Sequence, residues 1–135
     1  APAIGLTVHA DAKVAEEVAL MLAKKWHATV VISGKTDIIT DGKRVMHIRN
    51  GCPEMSDITG SGCMCTTLVG AFVGAHPEDP FGASAAAMLS MGIAGERAWR
   101  SYGHQGLGHF HMGILDELGS MSASVMEAEG KYDIL

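Results

Sequence analysis

The chain has 135 residues, which suffices for one domain and not for two. Apolar residues make up 47% of it and charged residues 19%, a balance that argues against disorder. Ten Lys and Arg stand against fifteen Asp and Glu, with no basic stripe to offset them, so neither nucleic acid nor an anionic membrane is the expected partner.

The start, Ala1-Pro2-Ala3, has neither an initiator Met nor a basic segment. It reads as a processed chain or a fragment without a secretory leader. Asp11 to Trp26 is then expected as an amphipathic helix, because Val14, Val18 and Leu22 recur at helical spacing with Ala15 beside them. Asp11 can cap its start, and Lys24 and Lys25 suit the negative end of its dipole. Thr29-Val30-Val31-Ile32 is a continuous apolar, β-branched run and predicts a buried strand. Asp37 to Thr40 and Arg44 to Ile48 flank Asp41-Gly42, the pattern of a β-hairpin.

Asn50-Gly51-Cys52-Pro53 reads as a loop, and Thr59-Gly60-Ser61-Gly62 as another that feeds a helix over Met64 to Val73. The uncharged run around it, Ile58 to His76, carries Gly60, Gly62, Gly70 and Gly74 as well as hydroxyls. A spanning helix needs about 20 mostly apolar residues, so no membrane segment is read there. His76-Pro77-Glu78-Asp79-Pro80 breaks the run. A second helix is expected over Phe81 to Trp99, and a last one from Phe110 to Leu118 after Gly103, Gly106 and Gly108. Ser120 to Leu135 shows weak periodicity and is expected to be partly ordered. Three strands cannot bury helices on two faces unaided, so the expected fold is an α/β layered sheet that forms part of a larger one.

The stretch Thr59-Gly60-Ser61-Gly62-Cys63 is the most informative. Glycines before a helix let successive N–H groups converge at the positive end of the dipole, a nest for phosphate or a developing oxyanion. The same pattern also makes a plain turn. Walker A is excluded, since no Gly-Lys-Ser/Thr follows. Cys63 stands at the helix start, where a thiolate is favoured, and as residue type it suits a nucleophile, a base, a metal ligand or a small buried apolar group. Cys65 should point roughly 200° away on the helix, so the two are not expected to share a metal. Cys52, Cys63 and Cys65 cannot close a disulfide framework, and reduced thiols of a cytoplasmic protein are expected. His104, His109 and His111 with Cys52 match no standard zinc spacing. Met21, Met64, Met88 and Met91 fall at helical positions and are expected to fill the core. Ser33-Gly34 ends a buried strand, the place where open α/β sheets bind ligands.

Two segments resemble the hydroxyethylthiazole kinase family: Val31-Ile32-Ser33-Gly34-Lys35-Thr36-Asp37-Ile38-Ile39-Thr40-Asp41-Gly42 and Ile58-Thr59-Gly60-Ser61-Gly62-Cys63-Met64. Gly106-Leu107-Gly108-His109-Phe110 and Ile114 to Leu118 resemble its C-terminal helix region. The likeness runs over roughly residues 5 to 120 and matches the C-terminal half. It implies a ribokinase-like α/β fold, with residues 1–135 one partial domain. It also implies ATP-dependent, Mg²⁺-assisted phosphorylation of 4-methyl-5-(2-hydroxyethyl)thiazole in thiamine salvage. Matched residue by residue, Cys63 takes the catalytic base position, and Gly60 contacts the thiazole alcohol. Gly60, Ser61, Gly62 and Cys63 form the anion hole, and Ser33 stands where the family usually carries a Thr that contacts ATP. Ser61 likewise replaces a common Thr. The missing N-terminal half carries most of the thiazole pocket and the acidic residues that help hold Mg²⁺. The resemblance implies a homotrimer, or here a complementary N-terminal half as partner. Two other readings of the residues are a nucleotide- or phosphate-binding module without catalysis and a structural or metal-binding role.

Overall fold

The computed structural model describes residues 3–7 and 11–135. The β-branched run forms strand β2 (Thr29–Ser33), buried on both faces. It pairs in parallel with β1 (Ala3–Thr7) on one side. On the other side β3 (Asp37–Thr40), β4 (Val45–Ile48) and β5 (Tyr132–Ile134) follow antiparallel, in the order β1-β2-β3-β4-β5. Helix α1 (Ala12–Trp26) makes the β1-to-β2 crossover and covers one face. Helix α3 (Pro80–Tyr102) covers the other, and α2 (Ser61–Ala75), α4 (Leu107–Gly119) and α5 (Ala123–Glu129) pack around it. The layered α/β sheet with helices on its faces is thus the architecture present.

Alternation along the strands divides the core in two. Val30, Ile32, Ile38 and Val45 meet Ala15, Ala19 and Ala23 of α1. Val31, Ile39, Met46 and Ile48 meet Phe81, Met88, Leu89 and Ile93 of α3. A third cluster joins Ile58, Met91, Ala94 and Ala98 to Phe110 and Ile114 of α4. The small residues of α3 let it lie close to the connecting chain: a Cβ at Gly92 would come within 2.8 Å of the Asn50 backbone.

The structure corrects several expectations. Among the described residues there are five strands and not three. Strand β1, Ala3-Ile4-Gly5-Leu6-Thr7, is short and interrupted by glycine, so its pattern is weak. The whole of β5 is exposed, and it joins the sheet edge through backbone bonds between Leu135 and Val45 and from Arg49 N to Lys131 O, so no apolar alternation marks it. Asn50 secures the same tail: its Oδ1 accepts from Lys131 N at 2.7 Å and its Nδ2 donates to Glu129 O at 3.0 Å. The Asp41-Gly42 connection is a four-residue loop, because Asp41 Oδ1 accepts from the N–H groups of both Lys43 and Arg44, which takes Arg44 out of β4.

Helix α1 is rotated relative to the Val14 stripe. Val14 is 48% exposed, and the alanines beside it face the sheet because they allow the helix to sit closer. Asp11 occupies the N-cap without a side-chain bond. Met21, expected in the core, is 58% exposed on the same outward face, whereas Met88 and Met91 are buried. Helix α2 begins at Ser61, three residues before the expected Met64, since the small residues Ser61 and Gly62 enter the helix. Helix α4 likewise begins at Leu107, directly after Gly106 at φ +115°.

Helix α2 contains no fully buried residue. Cys65 and Val69 lean on the α3 core, Met64 and Leu68 on the α4 side, and Cys63, Thr66, Thr67, Gly70, Ala71 and Gly74 are exposed. This apolar helix therefore leaves one side open in a chain whose β1 lies at the edge of the sheet. Among the described residues, no helix is long and apolar enough to cross a membrane.

Candidate functional site

Strands β2 and β4 run the same way, so Ser33 and the segment leaving Ile48 emerge at the same end of the sheet. That segment passes through a 3-10 turn over Pro53–Asp57, buries Ile58 and reaches Gly60. Gly60 has φ +90° and ψ 0°, a left-handed conformation that a residue with a Cβ adopts only under strain. It turns the chain directly into α2, whose first helical bond runs from Met64 N to Gly60 O at 2.9 Å. No side chain caps this terminus. The N–H groups of Ser61, Gly62 and Cys63 precede the first helical bond and point out of the helix at its positive end. An extra Cβ at Gly60 or Gly62 would meet nothing within 4 Å, so the approach to these groups is open.

Cys63 is exposed in the first turn of α2. Cys65, two residues on, turns inward: its Sγ lies 3.2 Å from Met88 Sδ, and burial, helped by the negative charge of Asp37, pushes its thiol up to about 11. The two sulfurs leave the helix on different faces, which follows from about 100° of rotation per residue. Thr66 and Thr67 donate to the carbonyls of Gly62 and Cys63, spending their hydroxyls on the first turns of α2. Ser33 is half-buried at the end of β2.

Asp37 is a residue that reading the chain passed over. It stands at the head of β3, is 8% exposed, and accepts a hydrogen bond from Gly34 N at 3.0 Å. Burial pushes its carboxyl up to about 7, against the lowering effect of that bond. Its signal in the chain was only an acid at the start of an apolar strand.

The stability consequence of Asp37 has a definite sign. Between about pH 4 and 7 the folded chain holds a proton on Asp37 that the unfolded chain has released, so this group favours folding as pH falls. Asp37→Asn removes the titration. The stability advantage of the Asn variant over the parent should shrink by about 2 kcal/mol between pH 7 and pH 5. Parallel denaturation midpoints at both pH values would place the ionisation elsewhere.

The other candidates are dispersed. Cys52 lies half-buried with its Sγ 3.6 Å from Gly95 O, and burial pushes its thiol up to about 11. His104 and His109 are exposed, and His111 contacts Met64 Sδ at 3.3 Å. Among the described residues, no three His, Cys, Asp or Glu converge as a metal-holding group. Mg²⁺ usually keeps several waters and is held through one or two carboxylates together with substrate phosphates. The residues present do not form a cage for it, so no step is routed through a metal held by this chain.

The model of the hydroxyethylthiazole kinase family matches residues 5–124. A hydroxyethylthiazole kinase of Clostridium beijerinckii is 44% identical over 115 residues, 85% of this chain and 41% of that protein. One from Thermoanaerobacter pseudethanolicus is 42% identical over 117 residues, 87% of this chain and 44% of its own length. The structure of a hydroxyethylthiazole kinase protein from Pyrococcus horikoshii superposes with a TM-score of 0.84 at 29% identity, covering 91% of this chain and 47% of that one. The chain thus spans less than half the length of the relatives it matches.

Proposed function

The chain belongs to the hydroxyethylthiazole kinase family, and from that premise we propose that residues 1–135 form the C-terminal half of a kinase that phosphorylates the hydroxyl of 4-methyl-5-(2-hydroxyethyl)thiazole with ATP in thiamine salvage. The observation that carries the reading is the uncapped start of α2, with Gly60 in the left-handed region and Cys63 exposed beside free N–H groups. Phosphoryl transfer asks mainly for positioning and for stabilisation of charge on the transferred group. The N–H groups from Gly60 to Cys63 supply that stabilisation. Cys63 serves as the base that takes the proton of the alcohol, whose oxygen then bonds to the γ-phosphorus while ADP leaves with the electrons of the broken P–O bond. Gly60 contacts the alcohol and Ser33 the nucleotide. Mg²⁺ arrives with the phosphates of ATP. The enzyme works in the cytoplasm.

The open side of α2 and the β1 edge supply the reason to expect assembly. Exposed apolar helix surface and unpaired strand edges both favour association. The partner is the complementary N-terminal half, within a homotrimer. The test is to supply the N-terminal half of the Clostridium beijerinckii relative to this chain. ATP-dependent phosphorylation of the thiazole alcohol by the mixture, and by neither half alone, is the expected outcome. A mixed complex that forms but binds ATP without transferring phosphate would demote the chain to a nucleotide-binding module.

A further inference from the structure

The geometry points to Asp37 as a positioning residue for the nucleotide: its buried carboxyl takes the Gly34 N–H and fixes the turn that follows Ser33, so that the turn meets the phosphates already shaped. The inference rests on the reading of this end of the sheet as the ATP side.

The connection between β2 and β3 is Gly34-Lys35-Thr36, running from Ser33 of β2 to Asp37 of β3. Asp37 is paired across to Ile48 in β4, so its backbone is fixed independently of the turn. Its Oδ1 reaches back three residues to Gly34 N. Burial raises its pKa and the Gly34 N–H lowers it.

Burying a carboxyl is an expensive way to close a three-residue turn. The neighbouring strand positions Ile38 and Ile39 are fully buried and apolar, so an apolar side chain fits this layer. Such local violations of core chemistry gather where a site needs a fixed shape. Loose backbone at a phosphate site loses affinity, because ordering it is charged against binding.

The test uses the full 135-residue chain with Asp37→Val, which removes the acceptor without leaving a cavity, and Asp37→Asn, which keeps an acceptor oxygen. Asp37→Ala replaces the Val variant if that one fails to fold. Binding of Mg²⁺-ATP is read from the amide NMR signals of Ser33, Gly34 and Lys35, and hydrogen exchange is followed at Gly34. The Val variant should expose the Gly34 amide and weaken Mg²⁺-ATP about tenfold, the size of one lost hydrogen bond, while Asn stays within about threefold of the parent. A merely structural role would move affinity in step with thermal stability, and not with the presence of an acceptor oxygen at position 37. Equal affinity in the Val variant and the parent, or equal weakening by Val and Asn, overturns the positioning role alone. No response of the parent signals to Mg²⁺-ATP overturns the reading of the site and this inference with it.

Discussion

Cys63→Ser is expected to cut turnover about 10²–10⁴-fold in an assembly that contains the missing half, the usual worth of a general base. A serine hydroxyl is a far poorer base near neutral pH, yet it leaves the turn of Gly60 and the N–H groups of α2 in place, so ATP affinity should change little. Cys63→Asp should keep part of the activity, since a carboxylate there can accept the same proton. Cys65→Ser is the control. Its sulfur is turned toward Met88 and away from the open face, and the thiol is pushed to about 11, so it offers no thiolate at neutral pH. The readout is kcat for all three with the thiazole alcohol, ATP and Mg²⁺. Full turnover in Cys63→Ser together with loss in Cys65→Ser would reverse the roles of the two cysteines.

The contrast between these cysteines was legible in the chain, because two residues on a helix differ by a fixed rotation. The central strands were legible for a similar reason: Thr29–Ser33 and Asp37–Thr40 are runs whose composition suits burial on both faces. Strand β5 was not, because an exposed edge strand needs only backbone partners, and Tyr132 to Ile134 shows no buried face. The face of α1 was misjudged where size competed with hydrophobicity. Val14 is the more apolar residue, but the row Ala15, Ala19 and Ala23 allows closer approach to the sheet and wins the core.

At the candidate site, the glycine loop and Cys63 stand out in the chain because φ above zero and a helix start both constrain residue type. The structure adds that only Gly60 holds the left-handed conformation, while Gly62 is helical and open to solvent. Asp37 escaped notice because nothing local distinguishes a buried acid from a solvated one at a strand start. Only pairing to Ile48 and closure on Gly34 reveal its setting, and both depend on the folded sheet.

Phe110→Ala should destabilise the fold by about 3–5 kcal/mol, the range for truncating a fully buried aromatic side chain. Phe110 is 0% exposed and meets Trp99 edge to face, with ring centroids 5.2 Å apart at 79°. The same cluster holds Met91, Ala94 and Ala98 of α3, Ile114 of α4, and Ile58. Ile58 gives the loss a local consequence, because it is the last anchor of the chain before Gly60 turns into α2. The cavity should therefore loosen the glycine loop before the sheet melts. Hydrogen exchange at Met64, whose N–H closes the first helical bond on Gly60 O, should rise by more than exchange at Val30 to Ile32. Phe110→Leu should recover most of the stability, and Val14→Ala on the exposed side of α1 should cost no more than about 0.5 kcal/mol. A loss below about 1 kcal/mol for Phe110→Ala would mean that α3 and α4 close over the vacancy. In that case the loop draws its rigidity from its own turn at Gly60, and not from the cluster beneath it.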